Sequence, residues 1–308
     1  MSKTDRVGCD TRQVSTVILM NDVEIRELRY FMAVAEELHF GRAAERLGMS
    51  QPPLSRAIQR LERRLGVELL LRNRRGVHLT EAGAVLLEEA AVVLDAATAA
   101  VLRTTRASTQ LRRLILVSKA GASHELLRDL LDAYAARPDA IEVEVLLCEV
   151  GEQRFLLREG RADIAIMHSP YDVHAEFDSA PIFTEGQVAI LPAAHRLARR
   201  THLYLADVAD VPDLPIARWS QHDGSYPPGP GPEVHTQSQL AQLVSLSRTL
   251  LLIPASSRAW QWPDHVAVPV LDAPAVTNLL TWPRTSRSPA VLGLVETAVA
   301  VGERTGQS

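Results

Sequence analysis

The chain predicts an α+β fold in three parts: an N-terminal winged helix-turn-helix, a long linker helix and a C-terminal α/β domain. Three observations lead there. Between Val23 and Leu79 two apolar stripes of helical period flank a tight turn and are followed by two short strand patterns. From Thr80 to about Ala107 the sequence runs with hardly a helix breaker, and after Leu111 it changes to strands alternating with helices.

The first helix is expected over Val23–Leu38, where Leu28, Phe31, Met32, Ala35 and Leu38 recur at three- and four-residue steps. A short alanine-rich helix over Gly41–Leu47 breaks at Gly48 and Met49, and Ser50 reads as the N-cap of the next helix. That helix is expected from Gln51 to Leu65. It buries Leu54, Ile58, Leu61 and Leu65, carries Pro52 and Pro53 in its first turn, where their missing amides cost nothing, and stops at Gly66. Val67–Leu71 and Val77–Leu79, joined by the polar turn Asn73–Gly76, read as a two-stranded wing. In the linker helix Leu87, Ala90, Leu94, Ala97 and Val101 form a stripe that suits packing against a second copy, although its many alanines also suit packing on the chain's own domain. Beyond it, strands are expected at Arg113–Val117, Ile141–Cys148, Ile164–Met167, Val188–Leu191, Leu250–Ile253, Val266–Val270 and Val276–Trp282. Helices are expected at His124–Arg137, Glu152–Glu159 and Ala290–Val301, with an irregular loop over Tyr226–Pro232. The alternation implies a parallel sheet.

With 308 residues, 46% hydrophobic and 23% charged, the chain has the composition of a soluble globular protein of two or three compact units. Two cysteines cannot build a disulfide framework and suit a reducing cytoplasm: Cys9 lies in a polar tail and Cys148 in an apolar strand pattern. The run Val14–Met20 is too short to span a membrane, so no membrane partner is expected. Residues 1–21 read as a disordered tail, and either Met1 or Met20 could be the start.

A net charge of −4 requires any nucleic-acid surface to be local. It is: between Arg42 and Arg75 nine arginines stand against Glu45, Glu62 and Glu68. Gln51, Ser55 and Arg56 sit at the exposed end of the 51–65 helix, where side chains can reach base edges in the major groove of double-stranded DNA. Arginine suits guanine and glutamine suits adenine, each through two hydrogen bonds. Pro52 sets the helix entry and lies within reach of a thymine methyl. Arg60, Arg63 and Arg64 read as phosphate contacts or plain surface, and Arg72 as an internal salt bridge or a wing contact.

The stretch LRYFMAVAEELHFGRAAERLGMSQPPLSRAIQRLERRLGVELLLRNRRGVHLTEAG, residues 28–83, resembles the N-terminal domain of LysR-type transcriptional regulators through AAERL, SQPPLSR, LE..LG.ELL and LTEAG. The resemblance implies DNA contacts at Gln51, Pro52, Ser55 and Arg56, wing contacts at Arg74 and Arg75, dimerisation through Thr80–Ala107, and a tetramer made as a dimer of dimers. Residues 112–304 resemble, more loosely, the family's two-lobed effector domain of periplasmic-binding-protein fold. Lobe one is then 112–168 with 272–304 and lobe two 169–271, LREGRADIAIMHSP at 157–170 is a helix-turn-strand segment, and PASSR at 254–258 follows a central strand. Ligands of such domains sit beyond the carboxyl ends of strands, where helix N-termini offer amides. That placement implies a small-molecule effector near Ser118, Gly121, Ser123, Val150, His168, Ser220 and Thr236.

Departures from the pattern bear on that cleft. Val150 stands where many members carry a hydroxyl, Glu149 would repel a carboxylate if it faced inward, and Ser247 and Thr249 replace a glycine pair. His168 is also readable as a satisfied strand-end histidine, and Ser118 and Ser123 as helix caps. No histidine pair has zinc-site spacing, no nucleophile elbow surrounds Ser123, and no glycine-rich loop cradles a phosphate. No metal, no cofactor and no catalysis are expected. The reading is a sequence-specific regulator modulated by an effector. Its alternative is an architectural DNA-binding protein with a degenerate, non-sensing C-terminal domain.

Overall fold

The computed structural model describes residues 23–73, 76–108, 113–219, 225–260 and 262–305. The expected tail, the cysteine at position 9, Arg74, Arg75 and Ser220 lie outside these residues. The chain divides into two compact units, 1–100 and 101–308.

In the first unit α1 (Ile25–Glu37), α2 (Phe40–Arg46) and α3 (Gln51–Leu65) precede a hairpin of β1 (Leu70–Asn73) and β2 (Gly76–Leu79). Phe31, Val34, Leu54, Ile58, Leu61 and Leu69 are buried in one core. His39 caps α2, its Nδ1 accepting from the amides of Gly41 and Arg42 at 3.0 and 3.2 Å. Gly66 ends α3 in the left-handed conformation that favours glycine. Ser50 occupies the N-cap position of α3 but makes no side-chain cap. The donors a cap would use belong to the second and third helical residues, which are Pro52 and Pro53 and have none. Val67–Leu69, expected as strand, lies outside β1; Glu62 instead accepts the amides of Leu69 and Leu70 at 3.0 and 3.2 Å and fixes the entry to the wing.

The linker helix α4 (Glu81–Ser108) is 28 residues long. Thr80 caps it by accepting the Gly83 amide at 2.9 Å. Gly83 is required by packing, since a Cβ there would stand 2.1 Å from the Leu69 carbonyl oxygen. Leu86 and Leu87 pack on the first unit's own core and Ala90 is buried, while Val85, Val92, Val93 and Val101 are exposed. The stripe expected to face a second copy is therefore partly spent inside the chain.

The second unit holds β3 (Arg113–Lys119), α5 (His124–Ala135), β4 (Glu142–Cys148), α6 (Gln153–Arg158), β5 (Ile164–Ser169) and β6 (Asp178–Glu185). They are followed by β7 (Gln187–Pro192), α7 (Leu205–Val208), β8 (Arg218–Trp219), β9 (Glu233–Val234), α8 (Gln237–Ser245), β10 (Leu251–Pro254), β11 (His265–Val270), β12 (Val276–Trp282) and α9 (Pro289–Thr305). One lobe is a five-stranded sheet ordered β4-β3-β5-β12-β6, covered on one side by α5 and α9 around Leu116, Leu130, Ile166, Leu280 and Leu294. The other is a three-stranded sheet ordered β10-β7-β11.

These sheets correct three expectations. Within these two sheets only β3, β4 and β5 run parallel among the described residues; β12 is antiparallel to β5 and β6, and β7 to both its neighbours, because two crossings between lobes, at Gly186 and at 271–275, reverse the chain. Residues 178–185, placed by sequence in lobe two and not expected as a strand, form β6 of the five-stranded sheet of lobe one. The strand before PASSR is an edge strand, β7 being central. Ser247, where a glycine was expected, nevertheless takes a positive φ of 54°.

Candidate functional site

The exposed surface of the first unit is set by which arginines are already paired. Arg46 binds Glu36 at 2.6 Å and Arg42 binds Glu37 at 3.1 Å, joining α1 to α2. Arg64 pairs at 2.5 Å with Glu27, whose side chain is buried, so it ties α3 to α1 rather than facing outward. Arg72 donates to Ser55 Oγ at 3.2 Å, lies 3.9 Å from Glu62 and stacks 4.4 Å over the Phe40 ring. Arg56, Arg60 and Arg63 are exposed and have no ion-pair partner among the described residues. Gln51 and Pro52 are exposed beside them, and Ser55 is half-buried with its hydroxyl turned to Arg72. Three cations and a glutamine thus lie on one solvent-facing helix, free to accept an external anion or base edge.

In the second unit the residues named for the effector separate into two groups. Ser118 is fully buried within β3, its hydroxyl reaching only the Lys119 carbonyl at 3.5 Å, and so is not a cap. Ser123 holds the N-cap position of α5 at φ 51° without capping it. Its hydroxyl turns inward to His168 Nε2 at 3.0 Å and donates to Asn278 Oδ1 at 2.9 Å. The chain extends in both directions. Asn278 Nδ2 donates to Glu185 at 2.6 Å, and Glu185 accepts from the amide and hydroxyl of Ser256 at 2.5 and 2.7 Å. On the other side Asp172 accepts the His168 amide at 2.8 Å and pairs with Lys119 Nζ at 2.8 Å. His168 Nδ1 stands 3.5 Å from Asp172 without forming an aligned hydrogen bond.

The electrostatics follow from burial. Desolvation lowers the His168 pKa despite Asp172, keeping the imidazole neutral. Desolvation alone would raise the Asp172 carboxyl; the adjacent Lys119 ammonium instead holds it well below the usual carboxylate range. The neighbouring Cys148 thiol is pushed up to about 12, chiefly by burial. Although Ser123, His168 and Asp172 follow the order of a catalytic triad, Ser123 and His168 are almost completely buried and the serine hydroxyl is already given to Asn278.

The second group faces across the lobes. Thr236 caps α8, accepting the Gln239 amide at 3.2 Å. The next amide, that of Gln237, donates to the Glu149 carboxylate at 3.2 Å, beside the half-buried Val150 and left-handed Gly121 and Gly151. Lobe one therefore supplies an acid to a helix N-terminus of lobe two. Sequence reading missed Lys119, Asp172, Glu185, Ser256 and Asn278. Only Asp172, four residues beyond His168, left a local signal.

Residues 25–84 match the family model described as the bacterial regulatory helix-turn-helix protein of the lysR family, and residues 107–302 match the LysR substrate binding domain. The transcriptional regulator AlsR of Bacillus subtilis is 34% identical over 197 residues, 64% of this chain and 65% of that protein. The Hca operon transcriptional activator HcaR of Escherichia coli is 31% identical over 283 residues, 87% of this chain and 95% of that protein. Among solved structures, a full-length BenM variant superposes with a TM-score of 0.52 at 26% identity, covering 92% of this chain and 97% of that one. With a helix-turn-helix model and a substrate-domain model together spanning most of its length, the chain belongs to the LysR family of DNA-binding transcriptional regulators.

Proposed function

We propose that the exposed N-terminal end of α3 reads a specific DNA sequence, with Gln51, Pro52, Ser55 and Arg56 at base edges, Arg60 on phosphate, and Arg74 and Arg75 on the flanking backbone. The observation carrying this reading is that Arg56, Arg60 and Arg63 are exposed and have no ion-pair partner among the described residues, while Arg42, Arg46, Arg64 and Arg72 are engaged inside the domain. Two copies joined through α4, paired again into a tetramer, would present paired recognition helices to successive major grooves. The exposed valines 85, 92, 93 and 101 favour such pairing. The protein works in the cytoplasm, where its DNA is; among the described residues no helix is long and apolar enough to cross a membrane.

A small-molecule effector between the lobes, near Ser118, Gly121, Ser123, Val150, His168, Ser220 and Thr236, sets how the copies are arranged. Glu149 already accepts the Gln237 amide, so an effector carboxylate must displace it or bind elsewhere. The test is a gel shift of the full chain on DNA immediately upstream of its own gene against scrambled DNA at moderate salt. Strong preference for the former is the expected result. Equal affinity would favour the architectural alternative, because nonspecific binding is mostly phosphate electrostatics.

A further inference from the structure

Away from the cleft between the lobes, the second unit contains a cavity of about 280 Å³ where the last turns of α4 meet the start of β3 and the loop before α9. Three arginines line it, Arg103, Arg113 and Arg287. Their charge is poorly compensated. Arg103 and Arg287 have no ion-pair partner among the described residues, and the Arg287 guanidinium is oriented by donating to the carbonyls of Arg284 and Ser286 at 2.8 and 2.9 Å. Arg113 pairs with Glu144 at 2.9 Å, but both side chains are nearly half exposed, so this rim pair is weak and open to competition. Asp163, the one acid in the lining, is occupied by Arg106 at 3.4 Å and by the Ile115 amide at 2.9 Å.

Like charges gathered in a concavity raise its potential, and here they gather in a chain whose net charge is −4. Ser286 and Ser288 add hydroxyl donors, and the positive end of α9 begins at the next residue, Pro289. Apart from Thr285, the remaining wall is apolar, from Leu114, Ile141, Pro283 and Val291. Forked guanidiniums and hydroxyls suit a tetrahedral oxyanion, and the wall suits a hydrocarbon body. We propose that this cavity is a second ligand site, separate from the cleft, and that it binds a small phosphorylated organic molecule. Occupation neutralises Arg103 against Arg113 and Arg287, and so fastens the end of the linker helix to the sheet it leads into.

The test uses the full chain with phenyl phosphate, inorganic phosphate and benzoate as probes, followed by calorimetry and thermal shift. Phenyl phosphate should bind more tightly than either of the others. The double variant Arg103→Gln/Arg287→Gln should weaken it about tenfold or more, as expected for lost charged hydrogen bonds. Glu144→Gln, which frees Arg113, should tighten it. The double variant keeps every arginine of the helix-turn-helix, so phosphate binding at the DNA surface would survive in it. No binding of phenyl phosphate at millimolar concentration would overturn the proposal. So would equal affinity in a double variant whose circular dichroism matches the parent.

Discussion

The exposed N-terminal end of α3, proposed above to read DNA, and the buried chain between the lobes both concentrate polar side chains, and they do so in opposite ways. At α3 the outward arginines have no ion-pair partner among the described residues, while the core beneath is apolar and Arg42, Arg46, Arg64 and Arg72 are tied down by Glu27, Glu36, Glu37 and Glu62. Between the lobes, Lys119, Asp172, His168, Ser123, Asn278, Glu185 and Ser256 satisfy one another almost completely and leave little for an outside molecule. A surface meant for a large polyanion can leave charge in water at little cost. A buried group must be paired or pay several kcal/mol in desolvation, so the second cluster acts first as structure.

Five substitutions sharpen that contrast. If the reader's fold rests on its core, Phe31→Ala should cost about 3 to 5 kcal/mol in chemical denaturation. Arg56→Ala should leave the denaturation midpoint unchanged. Within the arginines themselves, Arg64→Ala leaves buried Glu27 without its cation and should cost about 1.5 to 3 kcal/mol of stability. Arg60→Ala should leave stability alone, weaken DNA binding equally on all sequences, and reduce the salt slope of log K by about 1. In the interlobe chain, Ser123→Ala strands His168 Nε2 and Asn278 Oδ1 and should cost about 1 to 3 kcal/mol, read by thermal melting. A smaller loss would mean that water replaces the hydroxyl and that the network is more open than its burial indicates.

The gentlest effect is on pH. Because burial lowers the His168 pKa in the folded chain, the unfolded chain takes up a proton near pH 6.5 that the folded chain refuses. Stability is therefore at its full value above pH 6.5 and falls as pH drops from there toward the folded-state pKa. His168→Gln should flatten this segment of the stability profile, measured by urea titration between pH 7 and pH 5. An unchanged slope would assign the acid sensitivity to other groups.

What could be read without the structure follows the same division. The 51–65 helix was legible because every signal for it is local: the stripe Leu54, Ile58, Leu61, the prolines of the first turn, and Gly66 at the stop. Even there the cap at Ser50 was misread, since the prolines that mark the helix start also remove the donors a cap needs. β6 was missed because Pro181 interrupts its alternation and the strand bulges opposite Asn278 and Leu279, placing Ile182 out of register and into the core. The interlobe chain was illegible for a different reason. Ser123 meets partners 45 and 155 residues away, and no local pattern encodes such a meeting.

The central claim is that recognition lies in residues left unpaired at one helix end, with base reading at Arg56 and phosphate binding farther along α3. It is tested most directly by measuring Arg56→Ala and the parent protein on the preferred site and on every single-base variant of it. The account predicts a loss of about 1 to 3 kcal/mol on the preferred site and relaxed preference at one base pair, with preference at the others retained. A uniform loss across all the variants, with every base preference intact, would contradict it and place Arg56 on the phosphate backbone.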